Sequence, residues 1–522
     1  ARRATCFYRQ PQLLFCNQKN CQPGKIRIAD LAKKRYNTPY RAALSGGLNF
    51  EKRMLRFMNF PKTRVFYALL LASAIFLATA CSSSPKEDGQ TFAQAHDSFQ
   101  TNLVREESDS DPVPPPPEGF FDQVYYPSKV GDLAAYVSSD PGDGQKHPMI
   151  IWVVGGWGNG IDEFPWTYPT WDNDQTGSAF WQAGVLTMYP SFRGGNGNPG
   201  HYEALFGEVD DIISAYEYAA SLPYVDPQRI YLGGHSTGGT RALLAAEYSD
   251  KFRAVFCFGA VDEVKYHNNS QFTFDTSNEM EYTMRSPIHW LDDVHCPTFL
   301  IEGSEGNAEN LRNMEKASKN SQINCYIVDG ADHFAVLAPV TQLLAEKVIA
   351  DTGPQCSITL TMDELEQAMA QNPLYPLPIM TEYDLEDQGM HFSYPFIWDI
   401  EDDSGDDGVQ LSLYSRYDDE NPWDMSAMYV YTYEMDSESG LSEMAEALQN
   451  AGYEMQETDI CGRAAYDGYG LEELSSGNFF NNRFVIIQNG NTLVEIDFYL
   501  HEDFGDAGDD LFQAIINSVV FD

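Results

Sequence analysis

The sequence predicts an α/β protein whose main part is a doubly wound, mostly parallel sheet, followed by a smaller α+β region. Two observations carry this prediction. Between residues 148 and 351, short apolar strands alternate with helical stretches, a pattern typical of a parallel sheet covered by helices on both faces. After residue 373 the pattern changes to longer alternating strands and two helices. Apolar residues make up 43% of the 522 residues, which is enough for large cores.

The elements of the main region, residues 119–352, follow in order. FDQVYYPS and DLAAYVSSD alternate in polarity and predict an antiparallel edge. PMIIWVV at 148–154 is nearly continuous in apolar residues, which is typical of a strand buried on both faces. Further strands are predicted at 184–190, 229–234, 252–260, 297–303 and 324–330, and helices at 203–222, 240–250 and 336–351.

The C-terminal part is predicted as a linker at 353–372 and an α+β domain at 373–522. TMDELEQAMAQNP indicates a short helix within the linker. The strand candidates of the domain are SYPFIWDI, GVQLSLYSRY, SAMYVYTYE and FVIIQNGNTLVEIDFYL, and its helices are LSEMAEALQNAGY and FGDAGDDLFQAIINSVV. The opening F-S-Y-P-x-x-W and the closing L-F-x-x-I-x-x-S-V-x-F resemble PsbP-like domains. This part contains no nucleophile–base set, so its hypothetical role is docking a protein partner.

The N-terminal region predicts export with a lipid anchor. Residues 1–53 are basic and lack apolar periodicity, so we interpret them as a leader upstream of a start at Met54 or Met58. Residues 54–81 then combine a basic start, a short apolar run and small residues directly before Cys81. The sequence ATAC resembles a bacterial lipobox, in which the cysteine receives the lipid. An ordinary signal peptide with a chance cysteine is the alternative.

Residues 82–118 are predicted to be a disordered tether. They contain SSSPKEDGQ, EESDSD and a run of four prolines, and they offer few apolar residues for a core. Ser82 follows the cysteine where many lipoproteins kept at the inner membrane carry Asp. We therefore expect a cell-envelope protein at the outer membrane, facing the periplasm or the exterior.

Charge and cysteine usage exclude several classes of partner. The formal net charge is −44, and after residue 80 there are 18 basic against 75 acidic residues. Such a surface repels phosphates, so no nucleic-acid partner is expected. Five cysteines follow the anchor, an odd number that leaves at least one free. No C-x-x-C or histidine-cluster spacing occurs, and we expect no metal and no cofactor.

The strongest chemical signal is Gly234-His235-Ser236-Thr237-Gly238, which fits G-x-S-x-G. It lies between strand RIYLGG and helix TRALLAAEYSD, the strand–turn–helix context that a nucleophile elbow requires. We predict Ser236 as the nucleophile and the amide of Thr237, at a helix N-terminus, as one oxyanion donor. The second donor is predicted as the amide of Gly156 or Trp157, in the loop after PMIIWVV. A tight turn without a catalytic role is the alternative for that loop.

His333, in GADHF after the last predicted strand, is the predicted general base. It follows Ser236 in the chain order Ser…acid…His. Three carboxylates are candidates for the acid: Glu305 first, then Asp262 as the alternative, then Glu302. Asp332 is assigned to the loop, because neighbouring side chains diverge.

Residues 119–352 resemble the catalytic α/β-hydrolase domain of the prolyl oligopeptidase and dienelactone hydrolase branch. The resemblance rests on MYPSFRGG with Arg193, ASLPYVDPQRIYLGGHSTGG and GADHF. It implies hydrolysis of a small ester or a peptide through an acyl-enzyme. Arg193 would then bind substrate or brace the loops, and residues 262–287 would form a cap whose aromatic side chains line the pocket or pack against the core.

The sequence departs from that family at two positions. Val154 stands where relatives carry His, and Gly306 stands where they carry the acidic Asp. These departures keep open a second hypothesis, a catalytically decayed hydrolase that serves as a binding or scaffolding lipoprotein of the cell envelope.

Overall fold

The computed structural model describes residues 89–166, 173–267, 269–370, 379–396, 398–402, 410–415, 427–435, 439–473, 479–501 and 505–521. The predicted leader, the signal segment with Cys81 and the first part of the predicted tether lie outside the described residues. Within the described residues, no helix has the length and apolar character needed to cross a membrane.

The main sheet has eight strands in the order β1-β2-β4-β3-β5-β6-β7-β8. Strand β2 pairs antiparallel with β1 and β4, and all pairs from β4 to β8 are parallel. With helices packed against it, this sheet is an α/β-hydrolase fold, as predicted. The strands are β1 Phe121–Ser128, β2 Gly131–Ser138, β3 His147–Val153, β4 Leu186–Pro190, β5 Val225–His235, β6 Val255–Phe258, β7 Thr298–Gly303 and β8 Ile323–Val328.

Both faces of the sheet are buried, which explains the apolar run of β3. Met149 and Ile151 belong to one core layer, whereas Ile150 and Trp152 belong to the layer on the opposite face. Burial of each large apolar side chain contributes about 1.5–3 kcal/mol. The helices of this part are α1 Phe92–Ser98, α2 Ser178–Gln182, α3 Gly207–Ser221, α4 Thr237–Tyr248, α5 Glu279–Thr283, α6 Ala308–Ala317, α7 Leu337–Ala350 and α8 Met362–Ala370.

The predicted tether at 82–118 is wrong for its described part. Helix α1 begins after a capping box at Thr91 and buries Phe92 completely in the core. Farther along, Leu103 forms a β-bridge with Phe274, and Asp109 accepts a hydrogen bond from the Tyr202 hydroxyl at 2.7 Å. The polar composition of residues 89–118 gave no sign of these contacts, because an extended segment can pack against the main domain with few apolar residues of its own.

The predicted linker at 353–372 is also wrong for residues 353–370. Ile358, Leu360 and Leu365 are buried in the same core layer as α7. Lys347 on α7 forms a 2.6 Å ion pair with Glu364 on α8. The short helix predicted here is confirmed as α8, but it packs in the same core layer as α7 and does not belong to a linker.

The C-terminal part is α+β, as predicted, with a three-stranded sheet and a seven-stranded antiparallel sheet. Helix α10 covers one face of the larger sheet and helix α9 covers part of the other, so Val485 and Phe484 lie in different cores. The elements are β9 Met380–Leu385, β10 Met390–Pro395, β11 Trp398–Asp402, β12 Gln410–Ser415, β13 Ala427–Glu434, α9 Gly440–Asn450, β14 Glu454–Ile460, β15 Arg463–Glu473, β16 Phe479–Asn489, β17 Thr492–His501, α10 Gly505–Ser518 and β18 Val520–Phe521.

Several strand boundaries in this part differ from the predictions. SYPFIWDI divides between β10 and β11, which belong to different sheets. FVIIQNGNTLVEIDFYL forms a hairpin that turns at Gly490, where φ is 61°. Strands β14 and β15 were missed, because their many polar residues give little apolar periodicity.

At least one free cysteine was expected, and all five described cysteines are free thiols: Cys257, Cys296, Cys325, Cys356 and Cys461.

Candidate active site

Ser236 occupies a nucleophile elbow between β5 and α4. Its φ of 56° and ψ of −119° form a strained conformation that is rare for a residue with a side chain. The turn is held because the Ser236 amide donates to the carbonyl of Phe258 at 2.8 Å. The close approach of helix and strand requires glycine at 238, since a Cβ there would lie 2.1 Å from the carbonyl oxygen of Val153. The predicted strand–turn–helix context of Ser236 is therefore present.

His333 lies in the loop between β8 and α7 and pairs with Glu302. Its Nδ1 is 2.9 Å from Oε2 of Glu302, the next-to-last residue of β7. Glu302 is fully buried, and its other oxygen accepts from the Gly303 amide at 2.8 Å. Nε2 of His333 has no hydrogen-bond partner within the described residues. The carboxylate therefore orients the ring so that Nε2 can exchange a proton.

The acid predicted first, Glu305, is not the residue that reaches His333. Its side chain is exposed, while its amide donates to the carbonyl of Ala331. The alternative acid, Asp262, instead accepts from Asn313 Nδ2 at 2.8 Å. Glu302, the third candidate, is the carboxylate that contacts His333.

Two glycines make room for the His333–Glu302 pair. A Cβ on Gly306 would lie 2.5 Å from Oε1 of Glu302, and a Cβ on Gly259 would lie 2.3 Å from Cε1 of His333. Gly306, the position at which the resembled family carries Asp, has no side chain. The Glu302 carboxylate occupies the space beside it.

A hydrogen bond joins two of the residues whose amides are the predicted oxyanion donors, Thr237 and Gly156. The Thr237 hydroxyl donates to the carbonyl of Gly156 and joins the start of α4 to the loop after β3. Among the residues described, no carbonyl accepts from the amides of Thr237, Gly156 or Trp157. A Cβ on Gly155 would lie 3.3 Å from the Cβ of Ser236, so this loop passes directly beside the nucleophile.

Asn159 braces the loop that contains Gly156 and Trp157. Its Nδ2 donates to Glu208 at 2.8 Å and to the carbonyl of Arg193 at 2.9 Å, and its Oδ1 accepts from Arg241 at 2.9 Å. Burial lowers the pKa of Arg241, an effect that Glu208 partly offsets. Asn159 is 1% exposed. Sequence reasoning missed this residue, since a single Asn in a glycine-rich loop carries no motif.

Arg193 braces the loops and does not face open solvent. It is 4% exposed, and its guanidinium pairs with Asp211 through two nitrogens at 2.9 and 2.8 Å and with Glu203 at 2.6 Å. Of its two predicted roles, the contacts favour bracing.

The predicted cap, residues 262–287, contacts the site through Phe272. The Phe272 ring stands edge-on to Trp157, with centroids 5.7 Å apart. Phe272 and Phe274 are themselves buried, at 3% and 0% exposure, so they pack against the core rather than line a surface. Trp157 is half-buried and belongs to the loop after β3, so Phe272 contacts the loop beside Ser236 through the Trp157 ring.

No set of three or more His, Cys, Asp or Glu side chains within the described ranges is arranged to hold a metal ion.

Sequence comparison finds one family. Residues 171–317 match the prolyl oligopeptidase family, a stretch that includes Ser236 and Glu302 but ends before His333. No curated protein matches the chain.

The chain is also similar to solved structures of low sequence identity. A puromycin-hydrolysing peptidase of Mycobacterium tuberculosis is 20% identical, with a TM-score of 0.37 over 44% of this chain and 39% of that one. An acylaminoacyl peptidase of Pyrococcus horikoshii is 19% identical, with a TM-score of 0.38 over 47% and 43%. A Pyrobaculum calidifontis esterase is 14% identical, with a TM-score of 0.35 over 45% and 86%. The chain thus spans less than half the length of either peptidase.

Proposed function

We propose that the protein is a serine hydrolase that cleaves an ester or a peptide bond through an acyl-enzyme on Ser236. The observation that carries the proposal is the 2.9 Å contact between Glu302 and His333, whose ring lies against that of His235, the residue directly before the strained Ser236. An imidazole oriented by a carboxylate, with its second nitrogen open, is the arrangement that general-base catalysis needs.

The reaction follows from these positions. The Ser236 hydroxyl attacks the substrate carbonyl carbon while Nε2 of His333 takes the proton. The amides of Thr237 and of Gly156 or Trp157 stabilise the negative oxygen of the tetrahedral intermediate. When the C–O or C–N bond breaks, His333 returns the proton to the leaving alcohol or amine. Water then attacks the acyl-enzyme, with His333 again acting as base, and releases the acid.

The two departures that kept a decayed hydrolase open have structural counterparts. The Asp absent at 306 is replaced by Glu302, whose carboxylate fills the space beside that glycine. The loop after β3, which contains Val154, is braced by Asn159 through its contacts with Arg241 and Glu208. Both observations support the catalytic proposal.

Hydrolysis of two reporter series tests this proposal. p-Nitrophenyl esters of increasing acyl length and peptidyl p-nitroanilides distinguish esterase from peptidase activity. We expect turnover in at least one series that disappears in Ser236→Ala. Folded wild-type protein that hydrolyses neither series and fails to react with an active-site serine reagent would instead support the decayed hydrolase.

We further propose that Cys81 carries a lipid that anchors the protein in the cell envelope, at the outer membrane. The proposal rests on the lipobox-like ATAC sequence. Expression in a bacterium fed an alkyne fatty acid should label the wild type and leave Cys81→Ala unlabelled. Labelling that persists in Cys81→Ala would contradict the anchor.

The PsbP-like resemblance of residues 373–522, and a protein partner for them, stay predictions. Crosslinking in intact cells, followed by comparison of the full chain with a chain that ends at residue 370, tests the partner. Identical crosslinked species would count against it.

A further inference from the structure

His235 is adjacent in the chain to Ser236 and contacts His333, the two reacting residues of the proposed site. It directly precedes Ser236 in the chain, and its Nε2 lies 3.1 Å from the backbone carbonyl oxygen of His333. The two imidazole rings lie against each other with centroids 4.5 Å apart, and the Phe334 ring lies 5.4 Å from that of His235. One side chain therefore joins the elbow to the loop that contains the base.

The contact fixes the protonation form of His235. A carbonyl oxygen only accepts, so Nε2 carries the hydrogen and Nδ1 keeps its lone pair. Nδ1 is buried and has no hydrogen-bond partner among the residues that the structure describes. Burial, and then the neighbouring His333, lower the pKa of His235 to about 3, so its ring is neutral at physiological pH. A neutral ring can hold the loop without placing a positive charge beside the base.

We infer that His235 is a positioning residue, which sets the location of His333 relative to Ser236 through its hydrogen bond to the His333 backbone. The inference rests on the proposed function and assigns to His235 no contact with substrate. Glu302 orients the His333 ring through the side chain, whereas His235 holds the same residue through its main chain. The base is thus restrained through both its side chain and its main chain, and removal of the main-chain restraint would change its position relative to Ser236.

A shape-matched pair of variants tests this role. His235→Gln keeps an amide that can donate to the carbonyl, whereas His235→Met has a similar length and no donor. Misplacement of a catalytic group by about 1 Å costs on the order of 100-fold in rate. We therefore expect kcat of His235→Met to fall by roughly 10- to 100-fold with KM little changed, and His235→Gln to recover most of the loss.

His96 provides the matched control. It is another buried histidine whose Nε2 lies 3.1 Å from a backbone carbonyl, that of Phe206, but it belongs to α1 and touches no residue of the proposed site. His96→Met removes the same kind of bond and is expected to lower the unfolding midpoint without a matching loss of kcat.

The rate of inactivation by a fluorophosphonate separates the outcomes. Wild-type protein that reacts, His235→Met that reacts slowly and His235→Gln that reacts nearly as fast as the wild type would support the inference. Equal rates for wild type, Met and Gln variants would overturn it while leaving the proposed function intact. Folded wild-type protein that does not react at all would overturn the proposed function, and the inference with it.

Discussion

The carboxylate of Glu302 lies beside Gly306, with its Oε1 2.5 Å from the point that a Cβ at 306 would occupy. A side chain at 306 and the observed position of Glu302 therefore exclude each other. Glycine at 306 thus leaves the space that the Glu302 carboxylate occupies at the end of β7.

Replacement of Glu302 by Gln tests its role. The amide keeps the shape but favours the wrong tautomer of His333, so we expect kcat to fall by about 10³- to 10⁴-fold. Steady-state kinetics on the best reporter substrate measures the loss. Glu305→Gln is the control, because that exposed side chain does not contact His333 and should retain wild-type kcat. A large loss in Glu305→Gln alone would reverse the assignment.

Moving the acid back to position 306 tests the exclusion directly. In Glu302→Ala the carboxylate no longer occupies the space beside 306, so adding Gly306→Asp is expected to raise activity over Glu302→Ala by roughly tenfold, a gain of about 1.4 kcal/mol in that background. In the wild-type background, Gly306→Asp should instead reduce activity, since its Cβ would displace the Glu302 carboxylate. Activities that combine additively in the double variant would refute the exclusion.

Asn159→Ala should affect both stability and catalysis. It leaves the buried charges of Arg241 and Glu208 without the amide between them, at a cost of about 2–3 kcal/mol in the free energy of unfolding. The loop with Gly156 and Trp157 loses its brace, so fluorophosphonate reactivity should also fall. Asn313→Ala, which removes one hydrogen bond to Asp262, provides the comparison in urea unfolding. Equal stability losses in the two variants would argue against the bracing role.

Phe92→Ala tests whether the N-terminal segment is part of the hydrolase core. Phe92 is fully buried against Trp290, with ring centroids 5.3 Å apart. We expect a loss of about 3–5 kcal/mol in unfolding free energy, measured by denaturant. Phe120→Ala is the control, because that ring is 44% exposed and should cost far less. A negligible loss of unfolding free energy in Phe92→Ala would instead support the predicted disordered tether.

The pKa of His235 predicts a pH dependence of stability. Its pKa falls from 6.5 to about 3 on folding, so the unfolded chain binds the proton first as pH falls. Stability from this residue is complete above pH 6.5 and is lost toward pH 3. Between these values the slope approaches about 1.4 kcal/mol per pH unit. Urea unfolding from pH 7 to pH 4 should show a shallower decline for His235→Gln than for the wild type. Parallel declines would contradict a buried neutral His235.

The strand–helix alternation made the main sheet predictable because β3 and its neighbours are buried on both faces. The strand–turn–helix context of Ser236 was predictable for a different reason, since the elbow needs small residues in a short fixed pattern. The acid was harder to place. Its identity depends on the space beside Gly306 and Gly259, which arises only when β6, β7 and the His333 loop come together.

Contacts between polar residues far apart in the chain could not be predicted from the sequence. Hydrogen bonds join Asn159 to Glu208 and Asp109 to Asn196, and no local periodicity indicates such contacts. Strands β14 and β15 were missed because their many polar residues give little apolar periodicity. Apolar patterns predicted which segments form the cores. The hydrogen bonds that join one loop to another could be identified only from the structure.

Reaction with a fluorophosphonate, followed by intact mass and peptide mapping, tests whether Ser236 is a nucleophile activated by the His333–Glu302 pair. We expect a single phosphonyl adduct on Ser236 in the wild type, slow formation in Glu302→Gln and none in Ser236→Ala. Folded wild-type protein without an adduct, or an adduct on another residue that persists in Ser236→Ala, would contradict it.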